Sequence, residues 1–561
     1  MVSIRSSASR HGEADMNLSL RMRSPNLLAA AAIATIAGAL ALAACSGVET
    51  SSVAGASAAS SEGPLIGANP NRHQSGNAAA GRDVFRFETF GNEGFWTDAA
   101  RMPQGMMAAK LTPKQALEMG LQIDIEATPP ALRRLMEAEL KTDLSAQSAP
   151  TINDPNAMVA LVNANAIVGI VAKDSNGDGK LDIRRFDKVG VACTICHTIT
   201  DKSVFDMPNG GSVGRRVDGP AALTLNVGKL LALAANSRAF YPNLQHSFMG
   251  KTVGRAPTGL GPDSSEAEVD AYLSNPAYYP VGTFDETQDG IGNPVKNTPL
   301  FRQDLAAPYG SAGEFRLLDD ISNASYTSNL DPTTLVTPEG RKFLEAVAGP
   351  AGKRLADDYA RILKETGVTG YPFVKATLTG KPGDVASPVG RRVDNQKLLD
   401  MNAYLDSLPA PAGAKVDAQM VKRGRAAFVG NCTQCHNVDQ GKFVPPLLVD
   451  LKTLWPGYAP AVAGVRGDPK LTPVLNSPGG FDDKMIVIDA SIRGEKRGNA
   501  LPLLLDLART NIFLHDASVT SLNDLLDPKR GATAPHPFYF ADAAGRADMV
   551  AFLRGLDTNS R

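Results

Sequence analysis

From Gly81 onward the apolar side chains recur mostly at helical spacing. Leu111, Ala116 and Leu117, then Leu132, Leu135, Met136 and Leu140, fall on one face when wound at about 3.6 residues per turn. Few alternating runs compete, so the chain is expected to be mainly α. Leu398, Leu399, Met401, Ala403, Tyr404 and Leu408 predict a closing helix, and Met549, Val550, Phe552, Leu553 and Leu556 predict a second at the other end of the chain. Between them, Leu408-Pro409-Ala410-Pro411 breaks the pattern and predicts a domain boundary. Ahead of each closing helix lies a similar stretch: Ala307-Pro308-Tyr309-Gly310 followed by Leu317 and Leu318, and Phe513-Leu514-His515-Asp516 followed by Leu522 and Leu525. The chain therefore reads as two related units, 81–409 enlarged by insertions and 414–558. Val213-Gly214-Arg215-Arg216-Val217-Asp218 recurs at 389–394, out of register with this pairing, and reads as local reuse.

The first 45 residues follow a different pattern. Arg21 and Arg23 precede an apolar run over 27–44 that closes as Leu42-Ala43-Ala44-Cys45. This is the form of a lipoprotein signal peptide with a lipobox, in which cleavage leaves Cys45 as an acylated amino terminus. An uncleaved membrane anchor is the rival reading, since a run of about 18 apolar residues just spans a bilayer. Both readings place the rest of the chain outside the cytoplasm, anchored to a bacterial membrane and facing periplasm or cell exterior. Met16 or Met22 as the start would give a more ordinary signal length. Residues 46–80, rich in Ser, Ala and Gly, read as a flexible tether.

Candidate chemistry comes from the other four cysteines. Cys193 and Cys196 are followed at once by His197, and Cys432 and Cys435 by His436. Two thiols on one turn can add to the two vinyl groups of a haem, and a histidine directly after the second is placed to ligate its iron. A four-cysteine zinc site or a redox dithiol would need no histidine after both pairs. The expected cofactors are thus two covalently held haem c groups. The charge balance, 57 Lys and Arg against 58 Asp and Glu, and the lack of a basic run with interleaved aromatics speak against nucleic acid as a partner.

Gly424 and Phe428, four apart on a helix ending before Cys432, with a terminal helix over 543–556 to cross it, resemble the class I cytochrome c domain. Phe513-Leu514-His515-Asp516-Ala517-Ser518-Val519, Leu522, His536-Pro537-Phe538 and the closing helix are similar to the tail of the bacterial di-haem cytochrome c peroxidase superfamily. Its rubber-oxygenase-like and uncharacterised exported members are the nearest in kind. The first half resembles the uncharacterised members through Phe85-Arg86-Phe87, Thr89-Phe90-Gly91, Phe95-Trp96 and Gly214 to Gly219. The resemblance implies two cytochrome c-like haem domains, with the haems at electron-transfer distance. It implies electron transfer to or from a redox protein or quinol-linked source, or an enzyme that reduces hydrogen peroxide or oxygenates an apolar substrate at the first haem.

Of the seven histidines, His11 leaves with the signal, His73 lies in the tether, and His197 and His436 are proximal candidates. For the second iron the resemblance ranks His536 first; His515 follows, with a propionate contact as its alternative role, and then Met485. His246 or Met249 could cap the first iron; nothing like His536 precedes the first closing helix. An open first iron would admit peroxide or dioxygen.

Secondary features carry further expectations. Asp174, Asn176, Asp178, Gly179 and Asp182 follow an EF-hand-like calcium loop, although Arg185 stands where the bidentate carboxylate belongs and Asp187 lies close by. A solvated acidic turn is the alternative. Arg215 and Arg216 are candidate propionate partners, and Trp96 and Trp455 are candidate relays or simply core residues.

Overall fold

Two pairs of crossed helices frame the chain. The first opening helix, Ala78–Phe87, packs on the first closing helix, Asn395–Ser407; the second opening helix, Ala418–Asn431, packs on the second closing helix, Ala543–Arg554. The computed structural model describes residues 76–558 apart from 186, 249–250, 253–255, 286–287, 289, 291, 293, 311–314, 445–447, 450 and 457–498. Cys45, Met249 and Met485 therefore lie outside the described residues.

The crossings are alike residue by residue. Gly81 sits on the Asp400 carbonyl, and a Cβ added there would stand 1.8 Å from that oxygen; at Gly424 it would stand 2.1 Å from the Asp548 oxygen. One turn later Phe85 meets Tyr404 with ring centroids 5.9 Å apart, and Phe428 meets Phe552 at 5.2 Å. Each closing helix begins on an aspartate, Asp394 or Asp542, whose carboxylate accepts from two first-turn N–H groups. Burying Phe85 and Phe428 contributes about 1.5–3 kcal/mol each.

Upstream, the two similar stretches form the same closed loop. Tyr309 bridges Phe315 and Phe513 bridges Val519 in antiparallel fashion, each followed by a short helix, Leu318–Ala324 or Leu522–Leu525. In this register His515 corresponds to position 311, a serine just past Gly310.

Insertions separate these matched parts in the first half. In the second half Cys432 caps the opening helix directly. In the first, residues 88–192 intervene and build half of a large core, with Phe95, Trp96, Leu117, Ile123 and Leu161, that later residues such as Phe240 complete. Pro338–Glu365, two helical segments broken at Gly349 (φ 54°), adds to the same core through Leu344, Leu355 and Tyr359. A second core around Phe85, Phe90, Phe301, Tyr326 and Leu398 packs on Cys193, and a third around Phe428, Phe513, Met549 and Phe552 packs on Cys432.

Among the described residues helix takes 41% and strand 12%, so the fold is mixed rather than simply helical. The expectation of a mainly α chain undercounted strand because most strands run only two to four residues, too short for alternation to register. They pair as isolated two-stranded ladders, with one three-stranded sheet joining Ile123–Asp124, Ser212–Gly214 and Phe205–Asp206. Both copies of the Val-Gly-Arg-Arg-Val-Asp stretch contain strand, broken at Arg215 in the first and ending at Arg392 in the second, and in each the second arginine enters an ion pair with a largely buried aspartate: Arg216 with Asp124, Arg392 with Asp319. No described helix is long and apolar enough to cross a membrane.

Candidate functional site

Cys193 opens a single helical turn, Thr194–His197, at the end of the strand Lys188–Val191. Its sulfur lies 3.1 Å from the Tyr326 hydroxyl, inside the second core. Burial pushes the Cys193 thiol up to about 11 and the Cys196 thiol up to about 12, so both are protonated at neutral pH. His197 Nδ1 lies 2.6 Å from the Thr298 carbonyl oxygen. A carbonyl only accepts, so Nδ1 carries the proton and Nε2 keeps its lone pair. Part of the ring reaches the surface, yet the surrounding protein lowers its pKa to about 4 and keeps it neutral, the form that ligates a metal.

The strand after this turn, Thr198–Thr200, pairs antiparallel with Arg216–Asp218. Buried Asp218 there accepts from Thr198 Oγ1 at 3.0 Å, Arg86 Nε at 2.6 Å and the Tyr404 hydroxyl at 2.6 Å. One carboxylate thus ties the motif to the opening and closing helices of its half.

At the second motif, the backbone N–H of His436 donates to the Cys432 carbonyl at 2.9 Å, closing a helical turn that brings both thiols and the imidazole together. Burial raises the Cys432 thiol to about 11, raises Cys435, and lowers His436. Cys435 packs with Val444, Val449, Leu501 and Leu503.

His536 is brought to this motif. Its pKa is pushed down to about 4, first by burial and then by the charges of His436 and Arg530, so it stands within electrostatic reach of His436. Its Nδ1 is buried without a hydrogen-bond partner, and its backbone is held in the left-handed region at φ 55° by an N–H bond to the Leu454 carbonyl, 2.7 Å long. A β-substituted residue held there marks a position over-determined by its surroundings.

His515 stands elsewhere. Its carbonyl accepts from the Lys296 N–H at 2.5 Å, and Lys296 lies two residues before the Thr298 that holds His197. The loop that carries it belongs to the third core through Phe513, so it runs between the two motifs. His246 is buried in the first core, with Nε2 2.7 Å from the Tyr241 carbonyl and its ring 3.9 Å from that of Tyr241; burial lowers it to about 4.

The arginines expected at propionates have protein partners. Arg215 Nε reaches Asp201 at 2.9 Å; Arg216 Nε reaches Asp124 at 2.6 Å, with its guanidinium over the Phe87 ring. In the acidic loop, Asp174 accepts from the N–H groups of Gly177 and Gly179, Asp178 accepts from Lys180, and Asn176 accepts from Asp178. Asp182 accepts from Arg184, and buried Asp187 from Ser175 and Asp182. These carboxylates serve their own backbone, and among the described residues no group of three or more His, Cys, Asp or Glu gathers to hold a metal ion. Trp96 packs with Phe95 and Phe240 in the first core; Trp455 is buried beside Leu454, the residue bonded to His536.

The two motifs are joined through shared residues. Leu503 packs in the cluster with Cys435 and in the core with Cys193, Leu505 enters that same core, and the Val444 N–H donates to the Leu305 carbonyl at 2.9 Å. Sequence reasoning missed Thr298 and the Gly81–Phe85 crossing. Thr298 acts through its backbone carbonyl, which no side-chain pattern reveals. The Gly-x-x-x-Phe spacing shared by 81–85 and 424–428 was the available signal for the second.

No family model matches the chain, and no curated protein matches it. A hydrazine synthase of Kuenenia stuttgartiensis, solved under xenon pressure, superposes with a TM-score of 0.27 at 13% identity, over 57% of this chain and 86% of that one, which is too slight a likeness to carry a fold or a chemistry across.

Proposed function

We propose that this chain is a di-haem c-type cytochrome that transfers electrons in the bacterial cell envelope, anchored by acylated Cys45. One haem is held by Cys193 and Cys196 with His197 on the iron, the other by Cys432 and Cys435 with His436. The observation that carries this reading is the 2.6 Å contact between His197 Nδ1 and the Thr298 carbonyl. It fixes the tautomer and aims Nε2 away from the backbone, as a ligating imidazole requires. In attachment each thiol S–H adds across a vinyl group: a C–S bond forms and the proton ends on the neighbouring vinyl carbon.

When bound, haem supplies one-electron chemistry, with potential set by axial ligands and burial. The residues do the rest. Phe85, Phe90, Phe301 and Tyr326 exclude water beside Cys193, and Phe428, Phe513 and Phe552 do so beside Cys432. His536, whose Nδ1 is buried and which stands within electrostatic reach of His436, would be a further ligand for the second iron. Leu503, which packs in both clusters, keeps the two sites in van der Waals continuity, which suits an internal relay. The donor and acceptor are then a redox protein or a quinol-linked source.

A second reading is favoured by one asymmetry. His246 spends Nε2 on the Tyr241 carbonyl, whereas buried His536 Nδ1 has no partner. A first iron left without a strong sixth ligand would suit an enzyme, reducing peroxide or oxygenating an apolar substrate there. Carbon monoxide added to the reduced protein separates the two. A carrier with two capped irons leaves the Soret band unchanged, whereas an enzyme shows one haem shifted, and that shift disappears in the Cys193→Ala/Cys196→Ala protein.

A further inference from the structure

We propose that Lys296 is the cationic partner of a propionate on the haem of the first motif. This inference rests on the haem reading above. Lys296 ends the strand Pro294–Lys296, which pairs with Thr283–Asp285 so that Lys296 faces Thr283, itself fully buried. Its own N–H is tied to the His515 carbonyl at 2.5 Å, and two residues on, the Thr298 carbonyl holds His197 Nδ1. An extended dipeptide covers about 6–7 Å. Lys296 thus starts within one side-chain length of the residue that sets the proximal imidazole, and its backbone is pinned at both ends of that dipeptide.

Among the described residues its charge has no counterpart. Among the described residues no ion pair or side-chain hydrogen bond reaches its ammonium group, and burial lowers its pKa to about 8. A carboxylate nearby would oppose that shift. Leaving a cation so placed without a counter-charge is costly, and such groups are normally paired. Arg215 and Arg216 already have Asp201 and Asp124. Haem would bring two carboxylates of its own, and among the described residues Lys296 is a cation beside the first motif without a counter-charge. The pairing would hold the ammonium fully charged and fix the propionate side of the ring, while the thioethers fix the vinyl side.

The test uses the full haem-loaded chain with Lys296→Met and Lys296→Arg. Methionine keeps the length of the stem and removes a charge that the protein does not compensate, so the variant should fold. The readouts are haem per chain, the midpoint potential of each haem, and the propionate bending band in resonance Raman spectra. With two haems retained, Lys296→Met should lower the potential of the haem that depends on Cys193 and Cys196, because removing a nearby positive charge favours the ferric state. It should also shift that haem's bending band, and Lys296→Arg should restore both. Two haems with both potentials and the band unchanged would overturn the assignment, as would a shift confined to the second haem. A chain that carries no haem defeats the haem reading itself, a distinct outcome.

Discussion

Gly424 and Gly430 lie in the same helix and should respond to alanine in opposite directions. At Gly424 the new Cβ would stand 2.1 Å from the Asp548 carbonyl oxygen, 2.7 Å from its carbon and 2.7 Å from the Phe552 Cβ. These atoms are backbone or next to it, so no rotamer change relieves the collision and the helices must move apart. Overpacking of this kind costs about 1–3 kcal/mol, and rigid neighbours put it near the upper end. Alanine recovers about 1 kcal/mol in helix propensity. Gly424→Ala should therefore lose about 2 kcal/mol. At Gly430 nothing lies within 4 Å of the added Cβ, so only propensity acts and Gly430→Ala should gain about 0.5–1 kcal/mol. Urea unfolding of the full chain, followed by far-ultraviolet circular dichroism and the Soret band, reads both changes. Equal effects of the two substitutions, or a stabilising Gly424→Ala, would refute the close helix crossing.

Two further outcomes follow from the histidines. His246 is neutral in the folded chain with a pKa of about 4 against 6.5 for the free group, so the unfolded state binds more protons between those values. The stability due to its neutral burial is present above 6.5 and is lost as pH falls through 4. Between pH 7 and 5 the loss is about 2 kcal/mol, and His246→Asn should flatten that part of the urea-midpoint profile; an unchanged slope would contradict the buried neutral imidazole. His536→Ala should turn the second haem from low-spin to high-spin in electron paramagnetic resonance and leave the first unaltered, since only a strong ligand on both faces pairs the d electrons; an unchanged spectrum would remove His536 from the iron.

Much of the frame was legible in the sequence because it repeats. Met401-Asn402-Ala403-Tyr404-Leu405 and Met549-Val550-Ala551-Phe552-Leu553 announce the closing helices, and the Pro-rich break at 408–411 separates the first closing helix from the second opening one. The Tyr309 and Phe513 stretches, matched on sequence alone, form the same bridged loop. The position of the opening helix in the first half was harder to read, because residues 88–192 separate it from Cys193 and the Gly81-x-x-x-Phe85 spacing was its one local signal; contact with Asp400 identifies it. Arg216 looked like a ligand-binding cation because its partner Asp124 lies 92 residues away, a pairing no local pattern reveals. Lys296 and Thr298 were invisible for a related reason: no local pattern tells which charges surround a lysine, and Thr298 acts through a carbonyl.

The central claim, two covalently held haems, is tested most directly by counting them. Denatured full-length protein should keep its haem stain on a gel, and a pyridine haemochrome assay should give two haems per chain. Cys193→Ala/Cys196→Ala and Cys432→Ala/Cys435→Ala should each reduce the count to one. A count of one in the unaltered chain, or haem that leaves on denaturation, would contradict the account.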